Sequence, residues 1–256
     1  MALLSIRNLT LTFGGLTAIR DLSFEVNAGE IVGLIGPNGA GKTSVFNCIT
    51  GFYRPAAGEI IFDGRPVLGL RPHRRTELGM ARTFQNLRLF PNLTAAENVM
   101  AGAHCRTRAG LFASMLRTPA QRLEERQVRE MALYWLEFVG LKDQANRLAK
   151  NLPYGAQRRL EIARAMASQP KLLLLDEPAA GLNPAEKESL MELIQRIREG
   201  GVTPLLIEHD MGLVMRICSR LVVLDHGEKI AEGDPETVRS DPRVIEAYLG
   251  REEESA

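Results

Sequence analysis

The sequence predicts an α/β fold in three parts: a core of parallel strands with crossover helices, an N-terminal antiparallel β layer, and a helical subdomain. Three observations carry that expectation. Short β-rich runs punctuated by turn residues fill much of residues 3–62, helical periodicity dominates 94–169, and strand and helix patterns alternate from 171 to 224. With 256 residues, 45% of them hydrophobic, the chain can bury a sizeable core, so one domain over 1–256 is expected, with the helical subdomain inserted at about 88–165.

Taken in order, residues 3–9, 16–26 and 58–62 read as strands, bounded by the turn pairs Gly14-Gly15, Ala28-Gly29 and Asp63-Gly64. Residues 30–35 form a continuous apolar strand that runs into a glycine-rich turn and then a helix over Lys42–Thr50. Charged amphipathic helices follow at 119–139 and 156–168, while 104–118 resists assignment. The remainder alternates: strand 171–175, helix Pro184–Glu199, strand Thr203–Ile207, helix Met211–Ile217, strand 220–224. Such alternation specifies a parallel sheet. Residues 241–250 read as a short terminal helix, with a proline near its start and a glycine at its end.

Composition narrows the function. Thirty-two Lys and Arg against 31 Asp and Glu leave a formal charge of +1, which argues against a nucleic-acid partner held by broad phosphate neutralisation. No run of roughly 18 residues is free of charge, so no membrane-spanning helix is expected, and the first residues lack the pattern of a signal peptide. Cys48, Cys105 and Cys218 form no Cys-x-x-Cys pair, which fits a reducing compartment. His73, His104 and His226 have no metal-ligand spacing.

Residues Gly36, Pro37, Asn38, Gly39, Ala40, Gly41, Lys42 and Thr43 fit G-x-x-x-x-G-K-[ST], between a buried strand and a helix. Glycines there let successive backbone N–H groups turn toward a phosphate chain, and the helix adds its positive dipole end. The Lys42 ammonium would reach the terminal phosphates, Thr43 Oγ would ligate Mg²⁺, and Ser44 would support the nearer phosphates. A second signal is the run of four leucines, 172–175, ending in Asp176 and Glu177. Asp176 would hold Mg²⁺ through water, and Glu177, facing elsewhere, would orient or deprotonate the water attacking a γ-phosphate. Alone, this acidic pair is an ordinary solvated strand end; the phosphate loop gives it a partner.

These ordered motifs make the chain resemble the nucleotide-binding subunit of ATP-binding-cassette transporters across essentially its whole length. That resemblance implies a P-loop NTPase (RecA-like) core using ATP and Mg²⁺. It also places Gln85, in Thr83-Phe84-Gln85-Asn86, on Mg²⁺ and the attacking water, His209 on the γ-phosphate, and Phe13 against adenine. The family signature falls on Leu152, Pro153, Tyr154, Gly155, Ala156 and Gln157, which would face ATP bound to a partner subunit. Pro153 stands where the signature has a serine, so no side-chain hydroxyl can reach that phosphate. Asn183 likewise stands where a carboxylate is usual.

Longer words, among them Phe46-Asn-Cys-Ile-Thr-Gly-Phe-Tyr53 and Ile207-Glu-His-Asp-Met211, are similar to LivG-type ATPases of branched-chain amino-acid importers. The resemblance implies a head-to-tail dimer with a second ABC ATPase subunit, two membrane permease subunits fed by a periplasmic binding protein, and a peripheral position on the cytoplasmic face of the cell membrane. Within residues 86–100, Leu87, Leu89, Phe90 and Leu93 either form a groove for a permease helix or pack internally. Other readings fit less well. Cassette ATPases acting on DNA or ribosomes use tandem cassettes or coiled-coil inserts, a GTPase needs an Asn-Lys-x-Asp motif, and a non-catalytic regulatory subunit would not need Lys42, Asp176, Glu177 and His209 together.

Overall fold

The computed structural model describes residues 2–106 and 119–249, so most of the 104–118 stretch lies outside the described residues. Two compact units emerge, Met1–Arg75 with Leu174–Ala256, and Thr76–Leu173. In chain order the elements are β1 (Ala2–Phe13), β2 (Leu16–Asn27), β3 (Val32–Ile35), α1 (Lys42–Thr50), β4 (Ala57–Phe62), β5 (Arg65–Pro66) and α2 (Pro72–Leu78). Next come β6 (Met80–Arg82), α3 (Ala95–Gly102), α4 (Pro119–Phe138), α5 (Tyr154–Met166) and β7 (Leu172–Asp176). The chain closes with α6 (Pro184–Glu199), β8 (Thr203–Ile207), α7 (Met211–Ile217), β9 (Arg220–Asp225), β10 (Glu228–Gly233), α8 (Pro235–Ser240) and α9 (Pro242–Leu249).

The first unit holds the antiparallel layer, ordered β2-β1-β4-β5. Its hairpin β1–β2 is longer than residues 3–9 suggested. Asn8 sits at φ 48° within a register shift, and the strand continues past residue 9 to Phe13. In the core sheet β3 pairs in parallel with both β8 and β9, while β10 joins β9 antiparallel. Every residue of β3, β7 and β8 is buried, as strands covered on both faces must be. Gly33 is required by packing: a Cβ there would lie 2.7 Å from Leu221 Cδ2. The terminal helix read at 241–250 is α9 (Pro242–Leu249), and a further helix, α8, precedes it, because Asp234 caps α8 through the Thr237 N–H at 3.0 Å and Pro235 occupies its first turn.

The second unit is mainly helical. Its α3 opens with a reciprocal capping box between Thr94 and Glu97, and a Cβ on Gly102 would lie 2.0 Å from the Arg164 carbonyl of α5. Asn98 is fully buried; its Oδ1 accepts the Phe90 N–H at 2.9 Å and its Nδ2 donates to the carbonyls of Phe90 and Thr94. One amide thus fixes the loop before α3. On that loop Leu87 and Leu89 are half-buried, whereas Phe90 and Leu93 are exposed. No described helix is long and apolar enough to cross a membrane.

Candidate active site

Between β3 and α1 the backbone takes left-handed turns that only glycine accepts readily: Gly36 at φ 145°, Gly39 at 80° and Gly41 at 99°. Space is equally tight. A Cβ on Gly36 would sit 2.0 Å from the Leu224 carbonyl oxygen, and one on Gly41 would sit 2.6 Å from that of Ala18. Lys42, only 6% exposed, donates from Nζ to the carbonyls of Gly36 at 2.7 Å and Pro37 at 2.8 Å, which folds its side chain along the loop. No side chain caps α1, so its first-turn N–H groups keep the arrangement suited to an anion.

The other end of α1 is closed by a cation. Arg75, 3% exposed, donates through Nη1 to the carbonyls of Cys48 at 2.6 Å and Ile49 at 2.7 Å, and through Nε to Leu70 at 3.2 Å. A guanidinium at a helix C-terminus meets the negative end of the dipole and satisfies carbonyls that lack helical partners. Burial pushes the neighbouring Cys48 thiol up to about 11 and the Cys218 thiol up to about 12, so both remain protonated apolar fillers.

At the end of β7, Asp176 is 2% exposed, and Glu177 leaves the strand at φ 48° with its N–H bonded to the Ile207 carbonyl at 2.9 Å. A left-handed glutamate is strained, and the turn aims the side chain away from the strand direction. Its Oε1 lies 3.0 Å from Nε2 of His209. Two residues predicted from separate motifs therefore meet. Beneath them Glu208, 3% exposed, accepts the Ala179 N–H at 2.7 Å and the His209 N–H at 3.1 Å. Burial raises the Glu208 carboxyl above its ordinary range despite those donors. Asp210 caps α7 through the Leu213 N–H at 3.1 Å and pairs with Lys187 Nζ at 2.6 Å.

Phe13 is exposed at the tip of the β1–β2 hairpin, where its ring meets Tyr53 edge-on at 5.1 Å. Tyr248 of α9 sets its phenol near the Gly36 N–H, and burial raises that phenol. Sequence reasoning assigned no role to Tyr53, Arg75, Glu208 or Tyr248. Two of them, Tyr53 and Glu208, lie inside words quoted for the resemblance, and nothing in a linear pattern shows that a tail tyrosine returns to a loop more than 200 residues earlier. Asn183, noted for its missing carboxylate, uses its Oδ1 to cap α6 by accepting the Glu186 N–H at 2.9 Å.

In the second unit Gln85 is exposed, and its loop is clamped through the backbone: Arg158 donates to the carbonyls of Phe84 at 2.9 Å and Gln85 at 2.5 Å. Glu161, 1% exposed, accepts the N–H groups of Phe84 and Arg88 at 3.4 Å and lies between Arg158 and Arg164. Burial raises the Glu161 carboxyl and lowers the Arg164 guanidinium. These three residues stand on α5, the helix that follows the signature, so the Gln85 loop is tied to the signature helix. Pro153 is the N-cap of α5 and makes no side-chain cap bond; Tyr154 is exposed, and Gln157 Nε2 donates to the Leu152 carbonyl at 2.8 Å.

Comparison with known proteins decides the family. A family model described as ABC transporter matches residues 19–180. The chain belongs to the ABC transporter ATPases. A second model, described as branched-chain amino acid ATP-binding cassette transporter, matches residues 228–254. BraF of Pseudomonas aeruginosa, a high-affinity branched-chain amino acid transport ATP-binding protein, is 50% identical over 97% of this chain and 98% of its own. LivG of Escherichia coli K12, with the same description, is also 50% identical over 97% of this chain and 98% of LivG. Among solved structures, the ADP conformation of MJ1267, an ATP-binding cassette of an ABC transporter, has a TM-score of 0.86 and 33% identity, covering 98% of this chain and 99% of that one. The ABC ATPase fold and family read from the motifs are therefore borne out.

Proposed function

We propose that this ABC ATPase powers an importer of branched-chain or related amino acids, hydrolysing ATP while separate permeases carry the solute. The observation that carries the catalytic half is the 3.0 Å approach of Glu177 Oε1 to His209 Nε2, at the ends of two adjacent core strands. That pair would hold the attacking water, with Glu177 as proton acceptor and His209 oriented toward the γ-phosphate. Residues 36–44 would cradle the phosphates, Phe13 would cover the adenine, and Gln85 would contact the attacking water and the metal. Full-length relatedness to BraF and LivG, with the C-terminal match at 228–254, supports the solute class.

A metal fits the donor set. The Thr43 hydroxyl and Asp176 carboxylate are hard oxygen donors, and among the described residues no group of three or more His, Cys, Asp or Glu could build an all-protein cage. Mg²⁺ suits such a site, since it keeps much of its water and takes few carboxylates beside substrate phosphates. When bound it would neutralise charge developing on those phosphates, and Gln85 would add an amide oxygen to Thr43 and Asp176.

Residues 152–157 would face ATP held by a second ABC ATPase in a head-to-tail pair, through the backbone N–H groups at the start of α5, since Pro153 has no hydroxyl. Phe90 and Leu93 would offer apolar surface to two permeases, and a periplasmic binding protein would deliver solute on the far side. The chain would sit peripherally at the cytoplasmic face of the membrane. Affinity purification of the tagged chain from its native membrane, followed by uptake in vesicles holding the purified complex, tests this reading. Expected are copurified permeases and ATP-dependent uptake of leucine, isoleucine or valine. A complex that transports another solute class and ignores these amino acids would overturn the assignment.

A further inference from the structure

We propose that Glu208 is a positioning residue for ATP hydrolysis, holding the two loops that carry Glu177 and His209 at their 3.0 Å approach. The proposal rests on the ATPase reading above and adds a residue to it. The two loops leave adjacent core strands at different points of the chain, and side chains at their tips would diverge if either loop shifted. Their backbone link is the bond from the Glu177 N–H to the Ile207 carbonyl, which fixes the strand ends but not the turns beyond. Glu208 supplies that second link. One carboxylate oxygen takes the Ala179 N–H, two residues beyond Glu177, and the other takes the N–H of His209 itself.

The chemistry of this bridge is specific. A carboxylate offers two acceptor oxygens, one for each loop N–H, whereas an amide of equal size offers one acceptor and one donor. Glutamine at this position would therefore set an NH₂ group against one of the two N–H donors and force one loop to turn. A 3% exposed carboxylate is costly to bury, and what offsets the cost is a set of backbone donors drawn from both loops. Glu208 would not contact nucleotide. Lys42 and the N-terminal turn of α1 would keep their grip on the phosphates whatever the switch loops do.

The test uses the assembled transporter, with turnover read above a Glu177→Gln complex so that the partner ATPase is subtracted. Glu208→Gln should lower kcat about tenfold to a hundredfold, the loss expected when reacting groups are displaced by about an ångström, with KM and ATP affinity within about twofold of the parent. In a His209→Ala background the same change should cost little more, because Glu208 acts through the pair already broken. Unchanged kcat in Glu208→Gln would overturn the proposal. So would loss of ATP binding alongside turnover, which would mark a general folding role, or full additivity with His209→Ala. A parent complex whose turnover does not exceed the Glu177→Gln baseline would instead overturn the ATPase reading.

Discussion

Arg75 shows how a residue far from the glycine-rich loop can hold the helix that follows it. Its guanidinium is buried against three backbone carbonyls with no carboxylate partner among the described residues, so its charge is stabilised by the end of α1 itself. Removing it leaves the Ile49 and Leu70 carbonyls without that donor in a dry site, while Cys48 keeps the Gly51 N–H, and the Arg75→Met chain should lose about 3 kcal/mol of stability, given about 1–3 kcal/mol for each buried group left unsatisfied. That corresponds to a fall of roughly 6–12 °C in the thermal midpoint of a chain this size, read by calorimetry. Lys42, Asp176, Glu177 and His209 were legible from sequence because each belongs to a motif whose spacing is set by a strand end or loop. Arg75 was not, since its role depends on α2 returning to the end of α1, and an arginine in a polar run reads as solvated surface. Glu208 escaped for a related reason: a buried acid beside a histidine looks, in one dimension, like the polar edge of a strand.

Among the elements, those with a clear period or a cap were readable and short or charged ones were not. Helix α6 was placed at its observed bounds, as Asn183, Pro184 and Glu186 make a capping box with proline in the first turn. The edge strand β10 was missed because Glu-Lys-Ile-Ala-Glu-Gly carries charge on both faces, as exposed edges do, and β6 is three residues long. Strand β3 starts at Val32 rather than residue 30, since Glu30 turns back to bond Asn27 through both backbone and side chain. Helix α9 has a role beyond closing the chain, because it brings the Tyr248 phenol near the Gly36 N–H at the start of the glycine-rich loop. Tyr248→Phe removes the hydroxyl and keeps the ring. ATP affinity of the chain, measured by titration calorimetry, should weaken by at most about fivefold, the ceiling set by one neutral hydrogen bond near 1 kcal/mol.

At the scale of the whole molecule, the two units divide the work. The first assembles the phosphate loop, the carboxylates and the histidine, and the second ties the Gln85 loop to the signature helix through Arg158, Glu161 and Arg164. The near-zero net charge is consistent with that division, because the anion to be held is one nucleotide in a backbone-lined loop rather than a polyanion. The central claim is that this chain converts ATP hydrolysis at its own Glu177 and His209 into solute movement by other subunits. It is tested most directly by replacing Glu177 with Gln in the reconstituted complex and measuring ATP binding, turnover and uptake in one preparation. General-base catalysis contributes about 10²–10⁴-fold, so turnover at this site should vanish and leave only the partner's share. Total turnover should fall by about half or more and uptake at least about tenfold, with ATP still bound. Turnover and uptake equal to the parent complex would contradict the claim.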